Sequence, residues 1–204
     1  MGLDQWDTAK TTPRLYSEKY YSPPYSIYIP TEGGWGVIYC KAPGTEYIPN
    51  GRVEFAFNNN NDIWKYQMEF FFRGDTPPGE AKWWPDNGYR VVIHLAEAYV
   101  IVYKITNGQF GNLGRHDMYP DIFDQLSPTE WNLLAITWWS HPSAHLVVKI
   151  EVKINDTWHL LCDDYANLLD AYTDKQYNRI GIRIDHYAGY NSLLIDNIWI
   201  YKAV

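Results

Sequence analysis

Apolar and polar residues alternate with a period of two along nearly the whole chain, the signature of strands with one buried face. "GRVEFAF" (51–57) sets Val53, Phe55 and Phe57 against Arg52, Glu54 and Ala56. "IWKYQMEFFFR" (63–73) sets Trp64, Tyr66, Met68, Phe70 and Phe72 against Lys65, Gln67, Glu69, Phe71 and Arg73. "HLVVKIEVKI" (145–154) sets Leu146, Val148, Ile150, Val152 and Ile154 against Val147, Lys149, Glu151 and Lys153. "WNLLAITWWS" (131–140) is equally clear, and shorter runs at 25–29, 35–41, 89–96, 99–105, 178–184 and 192–201 read as further strands. Asn107-Gly108 marks a turn, and Asn155-Asp156 folds "TWHLLCD" back on 145–154 as a hairpin.

Between these runs lie a polar turn at 58–62, a Gly- and Pro-dense loop at 74–88 and an irregular stretch at 108–130. One segment reads as helical, "DYANLLDAY" (164–172), with about two turns. Ser127 and Glu130 have the spacing of a capping box, but the β-rich run after them predicts a turn instead. Ten to twelve short antiparallel strands make an all-β, two-sheet β-sandwich of jelly-roll type the expected fold. No shift in composition marks a second domain. Residues 1–14 are expected to form an arm or edge strand and 15–204 a single sandwich domain.

Adjacent side chains on a strand point to opposite faces, so "AITWWSHP" (135–142) must separate its two tryptophans. Leu134, Ile136 and Trp138 form a uniformly large apolar set, which predicts Trp138 in the core. Trp139 shares its face with Leu133, small Ala135 and polar Thr137, where a ligand, a partner or a covering loop could reach it.

Composition narrows the functional classes. Aromatics are 17% of the chain, with ten Trp and eighteen Tyr, a supply that suits strands and ring stacking. The net charge of −7, with no basic run, argues against nucleic acid and against an anionic membrane surface. The longest apolar runs are strand-sized, so membrane insertion is not expected. The N-terminus lacks an apolar signal region, which predicts either an intracellular protein or one whose targeting segment has been removed. Cys40 and Cys162 form no metal cluster; two buried thiols or one long-range disulfide are the readings open to them.

The segments "PTEWNLLAITWW", "LVVKIEVKINDTWHLL", "NRIGIRI" and "LLIDNIWIYK", about residues 128–202, resemble the concanavalin A-like (laminin G-like) jelly rolls. In that superfamily a turn plus Trp opens a strand, a hairpin of the form v.v.NdtW follows, and the last strand reads iDnI.iY. The resemblance implies the fold and favours an extracellular or surface-exposed protein. It leaves lectins, carbohydrate-binding modules, adhesion domains, glycoside hydrolases and polysaccharide lyases all open. The glucanase pattern of paired acids, E-x-D-x-x-E or E-x-D-x-E, does not occur. Of the alginate-lyase strand patterns only "GRVEF" (51–55), "VVIHL" (91–95) and "IYKAV" (200–204) are present, without the second Arg, the Gln and the last Tyr. A non-catalytic protein is therefore expected.

Arg52, Glu54, Gln67, Glu69, Arg73, Arg90 and His94 all fall opposite the apolar sets. If their strands are neighbours they form one polar sheet surface, able to hydrogen-bond sugar hydroxyls or simply to be solvated and ion-paired. Trp83 and Trp84, in the long loop, have no periodic reason to be buried and could bind a ligand or cap the core. The candidate ligand-binding set is Trp83, Trp84, Trp139, Arg90, His94, Glu69, Arg73 and Gln67. No cofactor is expected; calcium would have only the oxygen-rich "NNNND" (58–62) and "CDDY" (162–165), neither with a known loop spacing. The function these features favour is non-catalytic recognition of a glycan or glycosylated surface by a lectin-like module. A structural subunit of a virion, filament or surface assembly, forming homo-oligomers, is the alternative, and a polysaccharide-cleaving enzyme a further one.

Overall fold

The structure, a computed structural model, describes residues 6–9, 13–18, 21–22, 26–29, 35–40, 48–58, 66–77, 79–80, 82–142, 145–169, 179–186 and 193–202. In chain order the strands are β1 (Trp6–Ala9), β2 (Arg14–Tyr16), β3 (Ser26–Ile29), β4 (Trp35–Cys40), β5 (Gly51–Asn58), β6 (Tyr66–Gly74), β7 (Gly88–His94) and β8 (Tyr99–Thr106). They continue as β9 (Gln109–Asp117), β10 (Asn132–His141), β11 (His145–Ile154), β12 (Thr157–Leu160), β13 (Tyr165–Leu169), β14 (Arg179–His186) and β15 (Leu193–Lys202). A 3-10 turn, Leu95–Glu97, follows β7, and one α-helix, α1 (Pro120–Phe123), follows β9.

These strands form two antiparallel sheets. One is seven-stranded, in the order β1-β4-β14-β6-β7-β8-β9. The other is eight-stranded, running β12-β11-β10-β5-β15-β3-β2, with β13 also pairing to β11. The expected all-β sandwich is what the chain forms. Its core lies where the apolar sets of the two sheets meet: Met68, Phe70 and Phe72 of β6 and Val91 and Ile93 of β7 from one, Val53, Phe55, Phe57, Leu134, Ile136, Trp138, Val148 and Ile150 from the other. Trp138 is fully buried, its ring 5.7 Å from Phe70 and 5.1 Å from Phe72 across the sheet interface. Its indole Nε1 donates to the Ile48 carbonyl at 3.3 Å, so burial leaves no orphan donor.

Two local readings are overturned. The expected helix at 164–172 is instead β13 over Tyr165–Leu169, with Tyr165 opposite Val148 of β11; 170–172 lie outside the described residues. A two-turn helix is marginal on its own, whereas the strand gains a ladder and a buried tyrosine whose ring stacks on His116 at 4.1 Å and whose hydroxyl donates to the Val100 carbonyl. The stretch 108–130, read as irregular, contains β9 and α1. Strand β9 is an edge strand exposed along much of its length, so no apolar alternation betrays it. What creates it is the two-residue turn at Asn107-Gly108, with φ of 51° and 75°, the left-handed pair that closes a tight hairpin. Weakly patterned edge strands such as β9, β1 and β2 raise the total among the described residues to fifteen, above the ten to twelve expected.

Ser127 does form a turn: its Oγ accepts from the N–H of Thr129 at 3.3 Å and of Glu130 at 3.0 Å, and β10 follows directly. The Asn155-Asp156 hairpin is also present, joining β11 to β12. Cys40 and Cys162 are both buried, and no disulfide joins them. A further correction bears on function. Strands β5 and β6 belong to opposite sheets, so Arg52 and Glu54 do not share a surface with Gln67, Glu69, Arg90 and His94.

Because Trp138 fills the gap between Phe70 and Phe72, Trp138→Ala is expected to lower stability by about 3–5 kcal/mol in chemical denaturation. Trp139→Ala, on the half-exposed opposite face, should cost less than half of that.

Candidate functional site

The outer face of the seven-stranded sheet carries a cluster built on Glu69. Register places Arg183 of β14 and Val92 of β7 opposite Glu69, with Phe71 beside Arg90 and Gln67 beside His94 in the flanking rows. The buried Glu69 carboxylate accepts from Gln67 Nε2 at 2.8 Å and from Arg90 Nη2, and Arg183 Nη1 approaches it at 3.4 Å. A carboxylate out of water is tolerated because charged donors converge on it. Arg90, thus anchored, lies with its guanidinium 4.8 Å from the Phe110 ring and 5.4 Å from Tyr103. Trp84 meets Phe110 edge-on at 5.1 Å and Trp83 at 5.9 Å, and the Arg183 guanidinium lies 5.7 Å from the Trp84 ring.

Of the candidate residues, the fold therefore brings together Trp83, Trp84, Arg90, Glu69 and Gln67. His94 is on the same face, but it is buried and its ring stacks on Tyr99 at 4.7 Å. Glu69 is likewise buried, so both serve as supports and not as surface contacts. The exposed groups are Trp83 at 45% and Phe110 at 36%, with Trp84, Tyr103 and Arg90 partly so.

Two candidates lie elsewhere. Arg73 has φ of 51°, and the ladder shifts register beside it, which carries its side chain off the polar face. It is fully buried, donating to the Pro49 carbonyl at 2.6 Å, Asn50 Oδ1 at 3.0 Å and Ser140 Oγ at 2.8 Å, and so ties the two sheets together. Trp139 faces outward from the eight-stranded sheet, opposite Val147.

Phe110, Tyr103 and Arg183 were not among the candidates. Tyr103 and Arg183 alternate in phase with their strands and could have been found from that phase. Phe110 could have been reached only through the Asn107-Gly108 turn, because its own segment lacks apolar alternation. Around Phe110, the β8–β9 hairpin borders a cleft of about 440 Å³ whose lining includes Lys104, Asn107, Gln109 and Asn112.

The loop that presents Trp83 and Trp84 is held at several points. At its base Asp75 accepts from the Asn87 backbone at 2.8 Å and from Asn87 Nδ2 at 2.6 Å. The Gly108 amide donates to the Asp86 carbonyl at 2.7 Å, joining the loop to the β8–β9 turn. Arg179 of β14 reaches across from below. Its Nη1 donates to the carbonyls of Pro77 (2.6 Å) and Glu80 (3.1 Å), its Nη2 to Asp7 Oδ2 (2.7 Å), and its Nε and Nη2 to the Cys40 carbonyl. The same Asp7 oxygen accepts from the Gly79 amide at 2.9 Å. A loop pinned in this way loses little entropy on meeting a ligand.

The outer face of the eight-stranded sheet is chemically different. Arg52 donates to Glu54 Oε1 at 2.6 Å, to Thr137 Oγ1 at 2.9 Å and to Glu151, which Lys149 also approaches at 2.7 Å. Burial pushes the Glu151 carboxyl up, but hydrogen bonds from Lys149 and Arg52, with their charges, outweigh it and leave the carboxyl below its ordinary value.

Of the two oxygen-rich stretches considered for calcium, 162–165 and Asn58 lie within the described residues. No three His, Cys, Asp or Glu side chains are grouped to hold a metal ion there. Asn58 is buried and donates to the Thr129 carbonyl at 2.9 Å, and the Asp163 carboxylate takes the Tyr119 hydroxyl; 59–62 lie outside the described residues.

In sequence the chain matches no protein-family model and none of the curated proteins. Solved structures do resemble it over nearly its whole length. The legume lectin-like domain from Entamoeba histolytica aligns with a TM-score of 0.64 at 11% identity, covering 99% of this chain and 92% of that one. The exoplasmic/lumenal domain of VIP36, bound to Ca2+ and Man3GlcNAc, aligns at 0.62 and 12%, covering 100% and 85%. The carbohydrate-binding module CBM66 from Bacillus subtilis aligns at 0.58 and 13%, covering 97% and 96%. The fold is thus a concanavalin A-like jelly roll.

Two outcomes follow from these contacts. Asp7→Asn, which weakens the charged half of the Arg179 clamp and keeps its shape, should speed tryptic cleavage after Lys82 severalfold with the melting temperature little changed; an unchanged rate would show that the loop does not depend on the clamp. Because Glu151 is depressed below its ordinary 4.5 in the folded protein, its contribution is present above about pH 4.5 and lost as pH falls through its lower folded value. Glu151→Gln should therefore flatten the fall in stability on acidification, read as the denaturation midpoint from pH 6 to pH 3.

Proposed function

We propose that the domain recognises a glycan without cleaving it. The observation that carries this reading is the meeting of Trp83, Trp84, Phe110 and Tyr103 with Arg90 at one end of the seven-stranded sheet, beside an amide-lined cleft. A sugar ring has apolar C–H faces and a rim of hydroxyls. Exposed indole and phenyl rings suit the faces, while a guanidinium and neighbouring amides suit the rim. The Glu69 carboxylate holds Arg90 in place from beneath and is shielded from water itself. Support also comes from the structural neighbours, which include the Emp46p carbohydrate recognition domain, the carbohydrate-binding module CBM66 and the VIP36 exoplasmic/lumenal domain bound to Ca2+ and Man3GlcNAc.

Trp84→Ala is expected to weaken glycan binding about tenfold or more while leaving the far-UV spectrum and melting temperature close to wild type. The measurement is titration of the glycan best retained on a glycan array. An array without a single retained glycan would overturn the reading, as would a Trp84→Ala protein that binds like wild type.

A further inference from the structure

The eight-stranded sheet has its own aromatic surface, distinct from the site above because it lies on the opposite side of the sandwich. Register across β15, β5, β10, β11 and β12 arranges its outward side chains in rows. Tyr201, Arg52, Thr137 and Lys149 form one, and Trp199, Glu54, Ala135, Glu151 and Leu160 form the next. Trp158 lies opposite Lys153 in the row beyond, and Trp139 opposite Val147 on the other flank. Trp199 and Tyr201 are 45% and 49% exposed, among the most exposed large apolar side chains described. They stand two residues apart on one strand, about 7 Å, and Trp158 lies four strands away, about 19 Å.

The chemistry between the rings decides what this surface fits. The core of a protein–protein interface is depleted in charge, yet here the centre is occupied by Arg52 joined to Glu54, Glu151 and Thr137, with Lys149 also on Glu151. The Arg52 guanidinium also lies 4.8 Å from the Trp158 ring. Exposed aromatics are thus set apart by fixed donors and acceptors instead of being merged into an apolar patch. Arg52, Lys149 and Lys153 face Glu54, Glu151 and Asp156, with Asp164 also near Lys149, so charges of both signs are interspersed and neither dominates. Alternating apolar and hydrogen-bonding groups, without a dominant charge, complement a neutral polysaccharide, whose rings repeat the same alternation.

We propose that this face, through Trp199 and Tyr201 with Trp139 and Trp158, is a second binding surface for a neutral polysaccharide chain. The module is then two-sided: one chain is held at the Trp84 end of the seven-stranded sheet and another across the back of the eight-stranded sheet. Two-sided binding cross-links long chains, and avidity raises retention on a polymer beyond that of either face alone.

The test uses the full chain, its Trp84→Ala variant, the double variant W199A/Y201A and the combination of all three. Both aromatic positions in the double variant are exposed, so the fold should survive their loss. Each protein is run by affinity electrophoresis through gels containing mannan, xylan, mixed-linkage β-glucan or fructan, and light scattering follows its mixtures with the soluble polymers. On at least one polymer, the double variant should lose about fivefold in retention and should no longer raise scattering. The Trp84→Ala protein should keep partial retention that disappears in the triple variant. Retention and scattering of the double variant equal to wild type would overturn this inference alone. Unchanged retention of Trp84→Ala would count against the first site alone. Failure of wild type to bind any polymer would overturn both, and self-association without polysaccharide that W199A/Y201A abolishes would make the face a protein interface and overturn the second.

Discussion

A fully buried arginine must place five N–H donors on acceptors, and the need of Arg179 shapes the tryptophan-loop end of this molecule. Its five N–H donors are spent on Cys40 of β4, on Asp7 of β1 and on two carbonyls of the tryptophan loop. An unsatisfied guanidinium donor in that position would cost more than most single contacts in the domain contribute. The strand edge, the N-terminal strand and the loop base must therefore keep their relative places. Trp83 and Trp84 inherit a fixed position from an interaction that neither of them makes.

The same logic recurs around Glu69. A carboxylate on the outer face of a sheet ordinarily points to water, but here Gln67, Arg90 and Arg183 take that role and the group is buried. The charge is shielded from solvent. It orients Arg90 beneath Phe110 and beside Tyr103, so the polar centre and the aromatic rim form one unit. The opposite sheet repeats the device with Arg52 and Glu151 and leaves its aromatics more open. In both places aromatic rings stand beside paired charges, so each of the two proposed glycan surfaces would meet its ligand already ordered.

Much of the fold was legible in the chain. Strands β5, β6, β10 and β11 follow their alternation closely, and Trp138 is where the phase of "LLAITWW" puts it, because a sandwich core accepts only one face of each strand. The failures share a cause. Strand β9 has little apolar pattern and β13 a helix-like one, and what makes them strands is a partner: β8 through the Asn107-Gly108 turn, and β11 with the buried ring of Tyr165. Edge strands draw on the hydrogen bonds of a neighbour, and a neighbour is not written in local sequence.

What the amino-acid sequence determined by itself is therefore the β class, the inward side chains of the long strands, the turn at Asn155-Asp156 and the aromatic loop as something set apart. These depend on period, turn chemistry and composition, which are local. Only the tertiary structure decided that β5 and β6 lie in different sheets, dividing one imagined polar surface into two. It alone turned Arg73 into a tie between the sheets, brought Phe110 to Trp84 and Arg90, and set Arg179 under the loop. Such meetings depend on sheet order and register between segments far apart in the chain, and the alternation within each strand carries no information about which strand will lie beside it.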